Sequence, residues 1–251
     1  MKYVMTGRIY PERIKLTISE PIALKIEHNG NIYSLRIRIE SAQVIAQVDS
    51  ENSTLSELDT LKNVVSHVVS SLIDTYSYLE GRWQQVEMTT VVNCENSEER
   101  VFGIEIPILA ESKEERPLKD FGKLMNLSIQ NMNLRRALAS IRTAMASPDD
   151  SGFFCYHAVE AISNHFKIDN TKDSQSSWKS MRTALNIDKD YIVKGIKPFA
   201  DPVRHGGVSE INDAERAELF IKVWKIFDRM FVLLDLGTDK LDESKFPMLK
   251  V

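Results

Sequence analysis

The sequence predicts an α+β fold: a small antiparallel sheet with one long helix, followed by a four- to five-helix bundle. Three observations predict it. Residues 1–50 are crowded with short β-branched and aromatic segments at period two. Residues 54–81 switch to an apolar period near that of an α-helix. Beyond Pro117 the pattern stays helical as far as Gly237. The changes divide the chain into a strand-rich domain at 1–112, a helical domain at 118–240 and a C-terminal tail at 241–251.

The strands come first. "KYVMTGRIY", "RIKLTI", "IALKIE", "IYSLRIRIE" and "AQVIAQV" have the expected composition. In "IYSLRIRIE", Tyr33, Leu35, Ile37 and Ile39 fall on one face, while Ile32, Ser34, Arg36 and Arg38 fall on the other, so one face is dry and one wet. Asn29-Gly30 between two segments is a hairpin signal, because both residues tolerate positive φ. The long helix opens with Thr54 and Glu57 as a capping box and closes at Gly81. Leu55, Leu58, Leu61, Val65, Val68, Leu72 and Tyr76 form its stripe, with His67 beside it. "RWQQVEMTTVVN" and "ERVFGIEIPIL" then return to strand character.

"ESKEERP", closed by Pro117, reads as a linker. Five helical pieces follow: 118–145, a helix opening near Ser147-Pro148, "SQSSWKSMRTALN", "DKDYIVKGIKPFA", and a final helix capped by Asn212 with Glu215 three residues on. Gly152 weakens the opening of the second, so its start slips by a few residues. Short joins between these pieces make a compact bundle.

Composition excludes several functions. With 43% hydrophobic and 27% charged residues the chain is an ordinary globular one. Residues 1–117 carry 12 Lys/Arg against 18 Asp/Glu, and residues 118–251 carry 20 against 18, so no basic tract announces a duplex-DNA binder. Cys94 and Cys155 are too few for a disulfide scaffold or a thiolate metal site. No apolar run reaches the roughly 20 residues of a membrane span, and the N-terminus lacks a signal-peptide core. The expectation is a soluble cytoplasmic protein with no membrane association. No phosphate loop or glycine fingerprint is present, so no cofactor and no metal are expected.

The densest polar stretch is "FADPVRHGGVSEINDAE", residues 199–215. Pro202 sets its start and biases Asp201 towards extended backbone, and Gly206-Gly207 lets it bend. Arg204 is suited to gripping a phosphate or carboxylate in two-pronged fashion, and His205 to moving a proton near neutral pH. Together they suit metal-independent phosphodiester cleavage. Equally, the arginine caps a helix and the histidine makes a structural hydrogen bond. In "FFCYHAVEAISNHF", Tyr156, Glu160 and Asn164 share one helical face, with His157 adjacent. Glu160 either faces water or reaches the Arg204-His205 turn and orders it.

"FFCYHAVEAISNHF", "WKSMRTALNIDKDYIVKGIKPFADPVRHG" and the long final helix resemble the HEPN superfamily over roughly residues 118–237. The likeness is to divergent HEPN-like bacterial proteins, including ones labelled MauJ-like. It implies a HEPN-like bundle that forms a homodimer. It also implies one of two roles: a metal-independent ribonuclease or toxin of antiviral defence or stress systems, or a non-catalytic module binding a nucleotide, RNA or a protein. The family motif is an arginine, four to six residues, then a histidine before the last long helix. His205 with Gly206 matches the histidine end. Pro198, Phe199 and Ala200 occupy the positions where the arginine would stand, and Arg204 is adjacent to His205 instead. On the nuclease reading, His205 is the acid/base, Arg204 contacts the scissile phosphate and Glu160 orients one of them. On the binding reading the same turn holds a ligand, and the first domain docks a partner protein.

Overall fold

The computed structural model describes residues 2–28, 30–50, 58–103, 106–167, 174–207 and 211–251. The chain divides into two compact units, Met1–Gly103 and Ile104–Val251.

The first unit is α+β, as the sequence implies. It contains β1 (Lys2–Tyr10), β2 (Ile18–His28), β3 (Asn31–Glu40), β4 (Gln43–Ser50), α1 (Leu58–Glu80), β5 (Gln85–Asn93) and β6 (Glu99–Val101). The six strands pair antiparallel in the order β2-β3-β4-β1-β5-β6. The register puts Leu35 opposite Val48, and Val48 opposite Tyr3, so one face is continuously apolar. Leu61, Val65, Val69 and Ile73 of α1 join that face in one buried core. Valines are poor helix formers, and their burial at roughly 1.5–3 kcal/mol per side chain outweighs the propensity lost. Arg36 and Arg38 stand exposed, as the alternation requires.

Three local expectations need adjustment. "RIKLTI" begins in a 3-10 turn, Glu12–Ile14, runs through irregular backbone at 15–17, and only Ile18 enters a strand. Within "ERVFGIEIPIL" the strand ends at Val101, Ile104 and Glu105 lie outside the described residues, and Pro107 occupies the first turn of helix α2 (Pro107–Glu111), which belongs to the second unit. The hairpin between β2 and β3 closes at His28 opposite Asn31, with Gly30 at φ 76°. Asn29, and the Thr54, Leu55 and Glu57 assigned to the start of α1, lie outside the described residues. His67 is exposed on α1.

Among the described residues the second unit holds eight helices: α2, α3 (Phe121–Gln130), α4 (Met132–Ala146), α5 (Ser151–His165), α6 (Ser174–Ala184), α7 (Lys189–Val193), α8 (Lys197–Arg204) and α9 (Asp213–Leu236). The expected piece at 118–145 is two helices. Asn131 ends α3 and caps α4, its side chain accepting from the Leu134 amide at 3.0 Å. The piece at 188–200 is also two, because Pro198 starts α8 and does not end a helix. At α9 the capping box is complete: Asn212 accepts from Glu215 N and Glu215 from Asn212 N, each at 3.0 Å.

Neither the linker nor the tail stands apart from this unit. Arg116 pairs with Asp228 of α9 at 3.2 Å and lies over the Trp224 ring at 5.4 Å. The tail folds back on the α6–α7 connection, where Asn186 adopts φ 52°. The Asn186 amide donates to the carbonyls of Leu241 and Phe246 at 3.0 Å, and Leu249 pairs beside Ile187. Arg229 is 7% exposed and donates to three carbonyls: Leu185 at 2.7 Å, Asn186 at 2.8 Å and Pro247 at 2.5 Å. Burial lowers its pKa, yet three charge-assisted hydrogen bonds offset the desolvation of the guanidinium.

Candidate functional site

Asp201 to Arg204 belong to α8, so "ADPVR" is helix and not an extended turn. Pro202 sits inside it and lacks an amide, but α8 is short and its end is held another way. His205 is the C-cap residue and Gly206 follows at φ 79°. Gly206 N donates to the Val203 carbonyl at 3.0 Å and Gly207 N to the Pro202 carbonyl at 2.8 Å. That pair of bonds is a Schellman closure, which requires a left-handed residue where Gly206 stands. Arg204 is thus the last helical residue, where the negative end of the helix dipole favours a cation.

The position of α8 is set by α5. A Cβ on Gly152 would fall onto the Phe199 carbonyl, so the glycine lets the two helices touch backbone to backbone. Gly152 weakens the helix start, and Ser151 opens α5, three residues after Pro148; its value lies in this close approach. One turn further along α5, the Arg204 guanidinium lies 5.2 Å from the centre of the Tyr156 ring. Its second neighbour is Asp201, at 3.8 Å. Burial pushes the Tyr156 hydroxyl above its ordinary pKa. The Glu160 carboxylate adds to the rise and Arg204 opposes it.

The candidate residues are therefore near one another but not wired as a catalytic set. Among the described residues, Glu160's carboxylate makes no hydrogen bond or ion pair with Arg204 or His205, and both it and Arg204 act on the Tyr156 hydroxyl. The His205 imidazole is exposed and, among the described residues, has no partner that would fix its tautomer. His157 looks elsewhere: its Nδ1 is 2.8 Å from Ser140 Oγ. The Ser140 proton goes to the Arg136 carbonyl at 2.9 Å, so the imidazole donates and the hydroxyl accepts, which is a structural arrangement and not an activated nucleophile.

A cleft of about 630 Å³ opens on the other side of Tyr156 from its own helix, between α5, α6, α7 and α8. Its lining includes Tyr156 and Trp178, whose rings stack at 5.8 Å and 22°, and four cations: Lys179, Arg182, Lys189 and Lys197. No carboxylate is among the lining residues. Lys197 comes within 4.0 Å of Asp201. Lys179, Arg182 and Lys189 have no carboxylate within ion-pair distance among the described residues, and Arg182 Nε donates to the Trp178 carbonyl at 3.3 Å. These residues escaped the sequence reading, which spent its attention on the turn. A signal existed in "WKSMR", an aromatic followed by cations one and four positions on.

A second cavity, about 530 Å³, is apolar and lies between α3, α4 and α9, with Leu124, Leu138, Trp224 and Phe231 in its walls. Phe121, Met125, Ile129 and Met132 are exposed on or next to α3. Among the described residues, no group of His, Cys, Asp and Glu is arranged to hold a metal, and no helix is long and apolar enough to cross a membrane.

Residues 3–102 match the N-terminal domain, and residues 121–234 the C-terminal domain, of a family described as a domain of unknown function, DUF8168. The first match falls within the sheet unit and the second within the helical unit. No curated protein and no solved structure matches the chain.

Proposed function

We propose that the chain is a non-catalytic module that binds a nucleotide or single-stranded RNA through its helical unit, and that it works in the cytoplasm. The observation that carries this reading is the cleft beside Tyr156, which offers a stacked aromatic pair and four cations without a lining carboxylate. Bases stack on aromatic rings and phosphates seek cations, so the two halves of a nucleotide find their complements in one place. Arg204 adjoins the cleft through its contact with Tyr156. The HEPN resemblance supplies the expectation of RNA as the polymer.

Binding without turnover is favoured by the state of the candidate catalytic residues. Arg204 is engaged by Tyr156 and Asp201, and among the described residues His205 has no orienting group. Phosphodiester cleavage needs a base held within hydrogen-bond reach of the 2′-hydroxyl and a donor placed on the developing charge.

Labelled single-stranded RNA mixed with micromolar protein in EDTA tests the proposal. The expected result is a rise in fluorescence anisotropy with the RNA left intact, weakened in Arg204→Ala. Cleavage by the wild type that disappears in His205→Ala, with the fold unchanged by circular dichroism, would establish the ribonuclease alternative.

A further inference from the structure

We infer that the cleft between α5, α6, α7 and α8 is a site for a terminally phosphorylated nucleotide: the base on Trp178 and Tyr156, the terminal phosphate on Lys179, Arg182, Lys189 and Lys197. The inference rests on the binding reading above and narrows it to one site and one ligand chemistry.

Charge decides between an internal and a terminal phosphate. A phosphodiester within a strand carries a single negative charge. A terminal phosphate carries about −1.5 to −2 at pH 7, and a polyphosphate carries more. Four cations drawn from three helices line this cleft, and three of them have no carboxylate partner among the described residues. Grouped cations raise the local positive potential, and an anion of matching charge gains most from it. The first turn of α6 contributes Gln175 and Ser176 to the same lining, so the positive end of that helix adds to the field.

Size and shape agree. A volume of about 630 Å³ lies in the range of pockets that take a single small ligand. The aromatic pair stacks within itself, at 5.8 Å between ring centres, and offers a base one further stacking step. Two sources carry the ligand chemistry, a free nucleotide and the phosphorylated end of an RNA strand.

Isothermal titration of the full chain separates the possibilities. The probes are ATP, a single-stranded oligoribonucleotide with a 5′-monophosphate, and the same strand with a 5′-hydroxyl. We expect at least one of the two phosphorylated probes to bind at least tenfold tighter than the 5′-hydroxyl strand. Whichever binds identifies the source. Lys179→Glu and Lys189→Glu, both at exposed positions, should each weaken that binding at least fivefold and flatten its dependence on salt. Trp178→Phe keeps a ring and should retain most of the affinity, whereas Trp178→Ala loses at least fivefold. Urea midpoints and circular dichroism confirm that the variants fold. If all RNA binds equally well with either 5′ end and the cleft variants change nothing, the terminal-phosphate site is wrong while the binding function stands. If neither ATP nor either strand binds, both fall.

Discussion

Arg204 and Tyr156 form a cation–π pair, the guanidinium 5.2 Å from the ring centre, and this pair joins the end of α8 to α5 about one turn beyond Gly152. Arg204 meets both the ring and the hydroxyl of Tyr156, and the two contributions separate by mutation. Tyr156→Phe keeps the ring and should retain most of the RNA affinity. Tyr156→Ala removes both the seat of Arg204 and half of the aromatic pair, and exposed cation–π contacts alone contribute about 0.5–1 kcal/mol. A loss of about fivefold or more in an anisotropy titration is expected; equal affinities for the two variants would remove the ring from the site.

The approach of α5 to α8 makes a second prediction. In Gly152→Ala the new methyl meets the Phe199 carbonyl, and neither backbone can yield without moving its helix. Overpacking of this kind costs about 1–3 kcal/mol. The urea midpoint should drop accordingly, despite the better helix propensity of alanine. A stabilised variant would show that α8 is free to shift.

Arg229 supports a third. Arg229→Met keeps much of the side-chain volume but leaves the Leu185, Asn186 and Pro247 carbonyls without the donor. Of these three, the Asn186 carbonyl keeps the Leu249 amide and Pro247 is exposed to water, so the buried Leu185 carbonyl is the acceptor left orphaned, at about 1–3 kcal/mol. Denaturation should register a loss of about 1–3 kcal/mol, and an unchanged midpoint would mean that water replaces the guanidinium.

The fourth concerns pH. Asn131 Oδ1 is occupied by the Leu134 amide, so its NH₂ faces His165 Nδ1 at 2.9 Å and that nitrogen accepts. Burial lowers the His165 pKa below its ordinary 6.5, and accepting at Nδ1 favours the same neutral form. The folded state thus binds this proton less readily than the unfolded chain. Its contribution is complete above the unfolded value and is lost as pH falls from about 6.5 through the folded pKa. His165→Gln offers an acceptor that does not titrate. Wild type should lose stability relative to this variant between pH 7 and pH 5, and parallel profiles across that range would refute the assignment.

Elements with a strong period or a complete cap were legible from residues alone. The Tyr33–Ile39 alternation, the Asn212–Glu215 box and the stops at Gly81 and Gly237 are local effects, and the structure carries all of them. Long-range contacts decided the rest. Asn131 splits an apparently continuous helix because its side chain serves as a cap and holds His165 as well. Pro202 stays helical because Gly206 and Gly207 close the end of α8. The tail looked separate because the donors that hold it, Asn186 and Arg229, are far away in sequence. The cleft was hidden for the same reason: its cations come from three helices, and only Trp178, Lys179 and Arg182 lie within one short segment.

The clamp on the α6–α7 connection reaches the cleft as well. Trp178, Lys179 and Arg182 ride on α6 and Lys189 on α7, so the angle between these helices sets the spacing of the cations. That angle is fixed from behind, where the Arg229 guanidinium and the Leu249 strand bridge hold residues 185–188. Removing residues 241–249 takes away one of the supports of residues 185–188, so it is expected to alter the spacing of the cations without touching any of them.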